Sequence, residues 1–152
     1  MPKKTWNEKL HDSKNLPTVV EIDCNFAAIY GPRMLVAAPL EFDEIMKRIP
    51  KGKLTTADRI NTYLAKKHNA DWTCFMTTGI FINLAAKASD ERGGVDETPY
   101  WRTLKKGGEL NDKFPGGFEG HKLLLETEGH KVFQKGKKYL VENYEQKLWE
   151  VE

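Results

Sequence analysis

The chain has 152 residues, 39% of them apolar and 30% charged, with a formal net charge of +2, a size that fits one domain of about 100–200 residues. Leu, Ile, Val and Phe make up about 23% of it, above the roughly 20% below which a charged chain stays disordered, so a folded protein is expected. The longest uncharged apolar stretches, Met34–Ala38 and Gly79–Ala86, fall far short of the roughly 18 residues of a membrane span. With no apolar segment behind the basic start to act as a secretory signal, a cytoplasmic protein without membrane contact is expected.

In chain order, the β-branched, apolar runs Thr18–Ile22 and Met34–Ala38 read as two extended segments joined by a turn at Tyr30-Gly31-Pro32. Phe42, Ile45, Met46 and Ile49 recur at spacings of three and four, which predicts an amphipathic helix over Glu41–Ile49, stopped by Pro50 and followed by the basic loop Pro50-Lys51-Gly52-Lys53. Thr55-Thr56 with Asp58 supplies an N-cap hydroxyl and a first-turn acid, so a helix is expected from about Thr56 to His68. After the turn Asn69-Ala70-Asp71 and a linking stretch Trp72–Met76, Thr77-Thr78 caps a second helix running to about Ser89. Two capped helices on a short connection predict a helix-turn-helix. The second helix is expected to be mostly buried, with Gly79, Asn83 and Lys87 as a narrow solvent edge.

A polar loop covers Asp90–Thr98, and the alternation over Tyr100–Lys105 predicts a strand ending in the turn Gly107-Gly108. Phe114-Pro115-Gly116-Gly117 precedes a helix carrying Leu123, Leu124 and Leu125 and stopped by Gly129. Lys131–Gln134 and Lys138–Val141 read as a hairpin, and Tyr144–Val151 as a last short helix with Leu148 and Trp149 inward.

Cys24 and Cys74 are fifty positions apart and outside any metal-ligand spacing, so neither a disulfide, a metal site nor a cofactor is expected. His11, His68, His121 and His130 are scattered and read as surface or helix-end histidines. The bases are clustered: Lys47, Arg48, Lys51 and Lys53; then Arg102, Lys105 and Lys106; then Lys131, Lys135, Lys137 and Lys138. Such clusters neutralise phosphates if folding brings them to one face, and are otherwise an ordinary solvated surface.

Four segments carry a resemblance. Ile49-Pro50-Lys51-Gly52-Lys53-Leu54-Thr55-Thr56, Thr98-Pro99-Tyr100-Trp101-Arg102-Thr103-Leu104, Gly107-Gly108-Glu109-Leu110 with Pro115-Gly116-Gly117, and Leu124-Leu125-Glu126-Thr127-Glu128-Gly129 resemble, in order and spacing, the DNA-binding domain of methylated-DNA--protein-cysteine methyltransferases and their non-enzymatic alkyltransferase-like relatives. The similarity covers roughly residues 41–132. It implies an α+β fold, a winged helix-turn-helix over 40–152, with residues 1–39 as an N-terminal extension packed on it.

The departures from the family pattern bear on chemistry. Tyr100 stands at the position of the nucleophilic cysteine and Trp101 at that of the histidine. A phenol with an ordinary pKa near 10 is a poor nucleophile at neutral pH, and an indole is no base. Glu128 matches the family's glutamate and, without those partners, reads as a helix-end acid. Ala57 replaces the usual tyrosine, and no arginine lies between Arg59 and Arg92 to act as an intercalating finger, a place that Asn83 fills only weakly.

The resemblance therefore implies a non-enzymatic protein binding double-stranded DNA in the minor groove, recognising O6-alkylguanine or other damage and signalling to a repair-protein partner. In that reading Tyr100, Trp101, Arg102 and Glu128 line a lesion pocket. DNA is held by Lys51, Lys53, Thr55, Thr56, Thr77, Thr78, Gly79, Asn83 and Lys87. A second reading is a repurposed winged-helix scaffold for a protein or small ligand, marked by an exposed apolar patch around Phe81, Tyr100 and Trp101. A third is an enzyme using Cys24 or Cys74, the latter close to a helix N-terminus that lowers a thiol pKa.

Overall fold

The computed structural model describes residues 4–151, which form an α+β fold. Its centre is a helix-turn-helix: α4 (Ala57–Lys67) and α5 (Phe75–Glu91), with α3 (Pro39–Arg48) packed against α5. The apolar spacing explains the packing. Phe42, Ile45 and Met46 of α3, Ile60 and Leu64 of α4, and Ile82, Ala85 and Ala86 of α5 are all within 3% of full burial, each large side chain contributing about 1.5–3 kcal/mol.

Strands β1 (Thr18–Glu21) and β2 (Arg33–Val36) pair antiparallel with Thr18 opposite Val36. Their connection holds a helix, α2 (Asn25–Tyr30), where only a turn was expected. Phe26, Ile29 and Tyr30 put apolar side chains on one side of that helix at the same three- and four-residue spacing that marks α3. Within the stretch expected to be a plain link, Trp72–Thr73 is a strand, β4, parallel to β2. The N-terminal residues thus share a sheet with the connector of the helix-turn-helix. They also share α5: in α1 (Trp6–His11) the Trp6 and Asn7 amides donate to Glu91, Asn7 Nδ2 donates to the Ala88 carbonyl, and Arg92 donates to Asn7 Oδ1.

Both expected caps differ. Thr56 is the N-cap of α4 but its hydroxyl caps nothing. Helix α5 begins at Phe75, before Thr77-Thr78, with Cys74 at the cap position. The Thr78 hydroxyl lies 2.8 Å from the Cys74 carbonyl and 2.7 Å from Asn61 Oδ1, donating to one at a time inside the first turn.

The C-terminal part departs from expectation at two places. Tyr100–Arg102 is a 3-10 turn after Pro99, leaving only Thr103–Leu104 as strand β5, paired parallel with β3 (Thr55–Thr56). Tyr100 and Trp101 are both buried, which a two-residue alternation does not allow. The last segment makes a 3-10 turn at Tyr144–Lys147 and then runs extended: Leu54 donates to the Lys147 carbonyl and Trp149 to the Leu54 carbonyl. Those backbone groups are spent on a neighbouring chain segment, so no further helical turn forms.

Helix α6 (Gly117–Thr127) and the hairpin of β6 (Val132–Lys135) and β7 (Lys138–Val141) appear where expected. The wing is the tight turn Lys105–Glu109, closed by the Lys105 amide on the Glu109 carbonyl at 2.8 Å and joined to β7 through the Val141 amide on Gly108. Gly108 is required there: its φ is +85° and a Cβ would overlap the Tyr144 ring.

Candidate nucleic-acid interface

The residues that carried the resemblance meet at one ion pair. The Arg102 guanidinium makes a bidentate contact with Glu128, Nε at 3.0 Å from Oε1 and Nη2 at 2.7 Å from Oε2, and its Nη1 donates to the Ile49 carbonyl at 2.7 Å. The Gly52 amide points at the same carboxylate. The loop into α4, the Tyr100–Arg102 turn and the end of α6 are thereby held as one unit. Burial acts to raise the Glu128 pKa, but the hydrogen bonds and charge of Arg102 overcome it and hold the carboxyl below the usual range. Glu128 is thus no plain helix-end acid. Its carboxylate at a helix C-terminus faces the unfavourable end of the dipole, which Arg102 offsets.

Tyr100 and Trp101 are 7% and 8% exposed. The Tyr100 ring meets Trp101 edge-on at 5.3 Å and Phe114 at 5.1 Å, and the Trp101 ring lies 5.5 Å from the Arg102 guanidinium. Burial, then the charges of Asp90 and Glu97, push the Tyr100 phenol up to about 12. It stays protonated and is no nucleophile at neutral pH.

Two histidines are not at the surface. His121 is fully buried: its Nδ1 accepts from the Asn111 amide at 3.1 Å and its Nε2 lies 2.9 Å from the Trp101 carbonyl, so the ring is neutral with the proton on Nε2. Burial pushes its pKa down to about 4. His130 is 7% exposed and also lowered by burial. The signal for His121 is its spacing, three after Phe118 and four before Leu125, on the inner face of α6. His11 and His68 do sit at helix ends, His68 against Glu41 at 2.6 Å.

The threonines named for phosphate contact are mostly inside. Thr55, Thr56 and Thr78 are 0%, 3% and 2% exposed, and Thr77 is half-buried with its hydroxyl on the Cys74 carbonyl. Lys51 and Lys53 are exposed on the loop beside Glu128. Of the basic clusters, Lys47 is committed to Asp43 and Asp96. Cys74 is half-buried at the start of α5 and Cys24 is exposed.

What the fold brings together is the outer edge of α5 and the wing. Three cavities follow one another along that edge. The first, about 410 Å³, is walled mainly by α4 and β4, with Asp58 and Asp71, and reaches Phe75 of α5 and Lys106 of the wing; the second, about 170 Å³, has Gly79, Asn83, Thr103, Lys105 and Lys113; the third has Lys87 and Lys113 beside Asp90 and Glu91. Lysines of the wing and its continuation therefore run along the side facing the helix. The middle cavity is floored by Ile82, Leu104 and Phe114, and the Thr103 hydroxyl on its wall is buried without a hydrogen-bond partner. Phe114 in turn rests on Tyr100, so Tyr100 forms a layer behind this cavity.

The edge itself is less polar than its sequence suggests. Gly79 is exposed and Asn83 and Lys87 are half-exposed, as expected, but Met76 and Ile80 stand beside them at 69% and 62% exposure. Asn83 is tethered by Asn111 Nδ2 at 2.8 Å, and the Lys87 ammonium sits 4.7 Å from the Trp6 ring centre. The exposed apolar surface thus lies at Phe75, Met76 and Ile80, with Phe26 and Tyr30 adjoining, while Phe81 packs against Phe42.

Two solved structures match over 73% of this chain and 93% of theirs, each at 18% identity. One is Atl1 of S. pombe in complex with damaged DNA containing O6-carboxymethylguanine, with a TM-score of 0.52; the other is S. pombe ATL in complex with DNA, at 0.51. The chain shares their fold. That fold is a winged helix-turn-helix, as the four sequence segments implied. No family model matches the chain, and no curated protein does. Among the described residues no group of acids, histidines and cysteines is placed to hold a metal, and no helix is long and apolar enough to cross a membrane.

Proposed function

We propose that this protein binds double-stranded DNA through the outer edge of α5 and the wing, in the minor groove, and recognises a damaged guanine without chemically altering it. The observation that carries this reading is the middle cavity between α5 and the wing, where Lys105, itself 3.8 Å from Asp112, and Lys113 stand with Gly79 and Asn83 of the helix, and Lys106 lies in the wall of the neighbouring cavity. Lysines on one side of a slender helix edge match a phosphate backbone. The fold shared with Atl1, solved with O6-carboxymethylguanine DNA, supports the same conclusion.

In this reading the middle cavity receives the modified base. At about 170 Å³ it is smaller than the roughly 300–1,000 Å³ of a drug-sized ligand site, which suits a single nucleobase. Thr103 and Asn111 offer polar contacts, Phe114 a stacking surface, and Tyr100, Trp101, Arg102 and Glu128 hold the wall from behind. With the Tyr100 phenol pushed up to about 12, this side chain stays protonated and does not take up an alkyl group, in keeping with a binding role. Lys51 and Lys53, the α4 and α5 N-terminal amides near Thr55, Thr56, Thr77 and Thr78, and Lys87 supply further phosphate contacts, and recruitment of a repair protein follows binding.

The test is fluorescence anisotropy of two matched duplexes, one carrying O6-methylguanine, at two salt concentrations. Tighter binding to the lesion with no alkyl transfer is expected, with affinity falling at a log–log slope of about −0.9 per phosphate neutralised. Equal binding to both duplexes removes lesion recognition, and no binding at low salt removes DNA.

A further inference from the structure

Four aromatic rings gather outside the main core. Phe26 and Tyr30 of α2, Trp72 of β4 and Phe75 at the start of α5 lie 5.0–6.2 Å from one another, centre to centre, yet Phe26, Tyr30 and Phe75 remain 45–47% exposed. Such an open group of rings marks a surface with a partner. Tyr30 reaches it from the N-terminal part of the chain, which the parallel pairing of β2 with β4 brings beside Trp72. Tyr30, Trp72 and Phe75 wall the first cavity, whose 410 Å³ falls within the roughly 300–1,000 Å³ of small-ligand sites. The rest of that wall sets its charge: two exposed carboxylates, Asp58 and Asp71, against one ammonium, Lys106. None of the three makes an ion pair among the described residues. Most donors of the wall are already spent. The Trp72 indole donates to the Gly31 carbonyl at 3.0 Å, the Thr73 hydroxyl to the Asn61 carbonyl at 2.8 Å, and the Thr62 hydroxyl to the Asp58 carbonyl at 3.0 Å. An anion would find few partners here.

We propose that this cavity binds an alkylated ammonium cation, carried by a small molecule or by a methylated lysine side chain. The ring quadrupoles of Trp72, Tyr30 and Phe75 attract a cation, tryptophan most strongly, and Asp58 and Asp71 supply the counter-charge. Alkylation decides between cations. An ammonium whose hydrogens are replaced by methyl groups is weakly hydrated and loses little by leaving water for a wall of rings, whereas a primary ammonium or a guanidinium gives up hydrogen bonds that rings do not return. The site stands apart from the middle cavity: it is built on α2, α4 and β4 and shares none of that cavity's wall residues. It does not depend on the DNA-binding reading.

The experiment is calorimetric titration of the full chain with choline and with a peptide bearing trimethyllysine. The controls are 3,3-dimethylbutanol, which has the shape of choline without its charge, and the same peptide with unmodified lysine. Saturable binding of one cation per chain is expected, with the controls much weaker. Tyr30→Ala is expected to weaken it about tenfold and Asp58→Asn about threefold, while Lys106→Ala, which removes a like charge, tightens it about threefold. Asp58 and Lys106 are exposed, so those two variants should keep the wild-type melting temperature and stand as the test even where Tyr30→Ala folds poorly. Tighter binding of the peptide than of choline assigns the cation to a protein side chain, and the reverse assigns it to a small molecule. The proposal is overturned if neither cation binds, if a control binds as well as its cation, or if affinity is indifferent to both Asp58→Asn and Lys106→Ala.

Discussion

Two regions that lie close in this fold have opposite characters. The Tyr100–Arg102 turn is closed: its aromatic rings are buried, its arginine is saturated by Glu128 and Ile49, and its phenol is held neutral. The edge of α5 is open, with a glycine, two exposed aliphatic side chains and a row of lysines opposite. In one place the charged groups are buried and satisfy each other, and in the other large apolar side chains stand in solvent. The lesson is that a turn resembling an active site serves as a structural joint, while the proposed recognition surface lies on the far side of Phe114.

The comparison is broken most forcefully at the ion pair. Arg102→Met leaves the Glu128 carboxylate, 6% exposed, without its partner, and urea unfolding is expected to show a loss of about 3–5 kcal/mol. Replacing both groups by apolar residues restores most of it. A variant that instead keeps its stability and loses DNA affinity would make the joint part of the binding surface.

Next in size is the pH dependence set by His121. Its pKa is about 4 in the fold against 6.5 ordinarily, so as pH falls the unfolded chain takes up the proton first. The stabilisation is fully present above pH 6.5 and drains away as pH falls towards 4, about 3 kcal/mol in all. Denaturant titrations across that range test it, and His121→Asn is expected to flatten the slope.

Smaller effects are expected along the open groove, and they should fall on binding. Lys113→Ala and Lys105→Ala are each expected to reduce the salt slope of DNA binding by about 0.9. Thermal unfolding should change least of all, with Ile80→Ala within about 0.5 kcal/mol of wild type, because Ile80 is already 62% exposed. A large loss of stability at Ile80 would mean that this edge of α5 is packed in solution and is not a free surface.

Periodicity and punctuation determined a good deal by themselves. Helices α3, α4 and α6 and the β6–β7 hairpin follow from apolar spacing, Pro50, Gly129 and Gly136, because each depends on neighbours within about a turn. The order of the four resemblance segments carried the winged helix-turn-helix fold. Even α2 was legible in principle from Phe26, Ile29 and Tyr30, though it is only six residues long. Tertiary structure alone decided the rest. Whether Tyr100–Lys105 becomes a strand or a 3-10 turn, and whether the last segment coils into a helix, depends on distant partners such as Leu54 that take its backbone hydrogen bonds. The burial of His121 and the pairing of Arg102 with Glu128 join residues 20 and 26 positions apart, beyond any local pattern. The exposure of Ile80 was decided the same way, since an isoleucine at helical spacing reads as core until the packing of distant segments shows that nothing covers it.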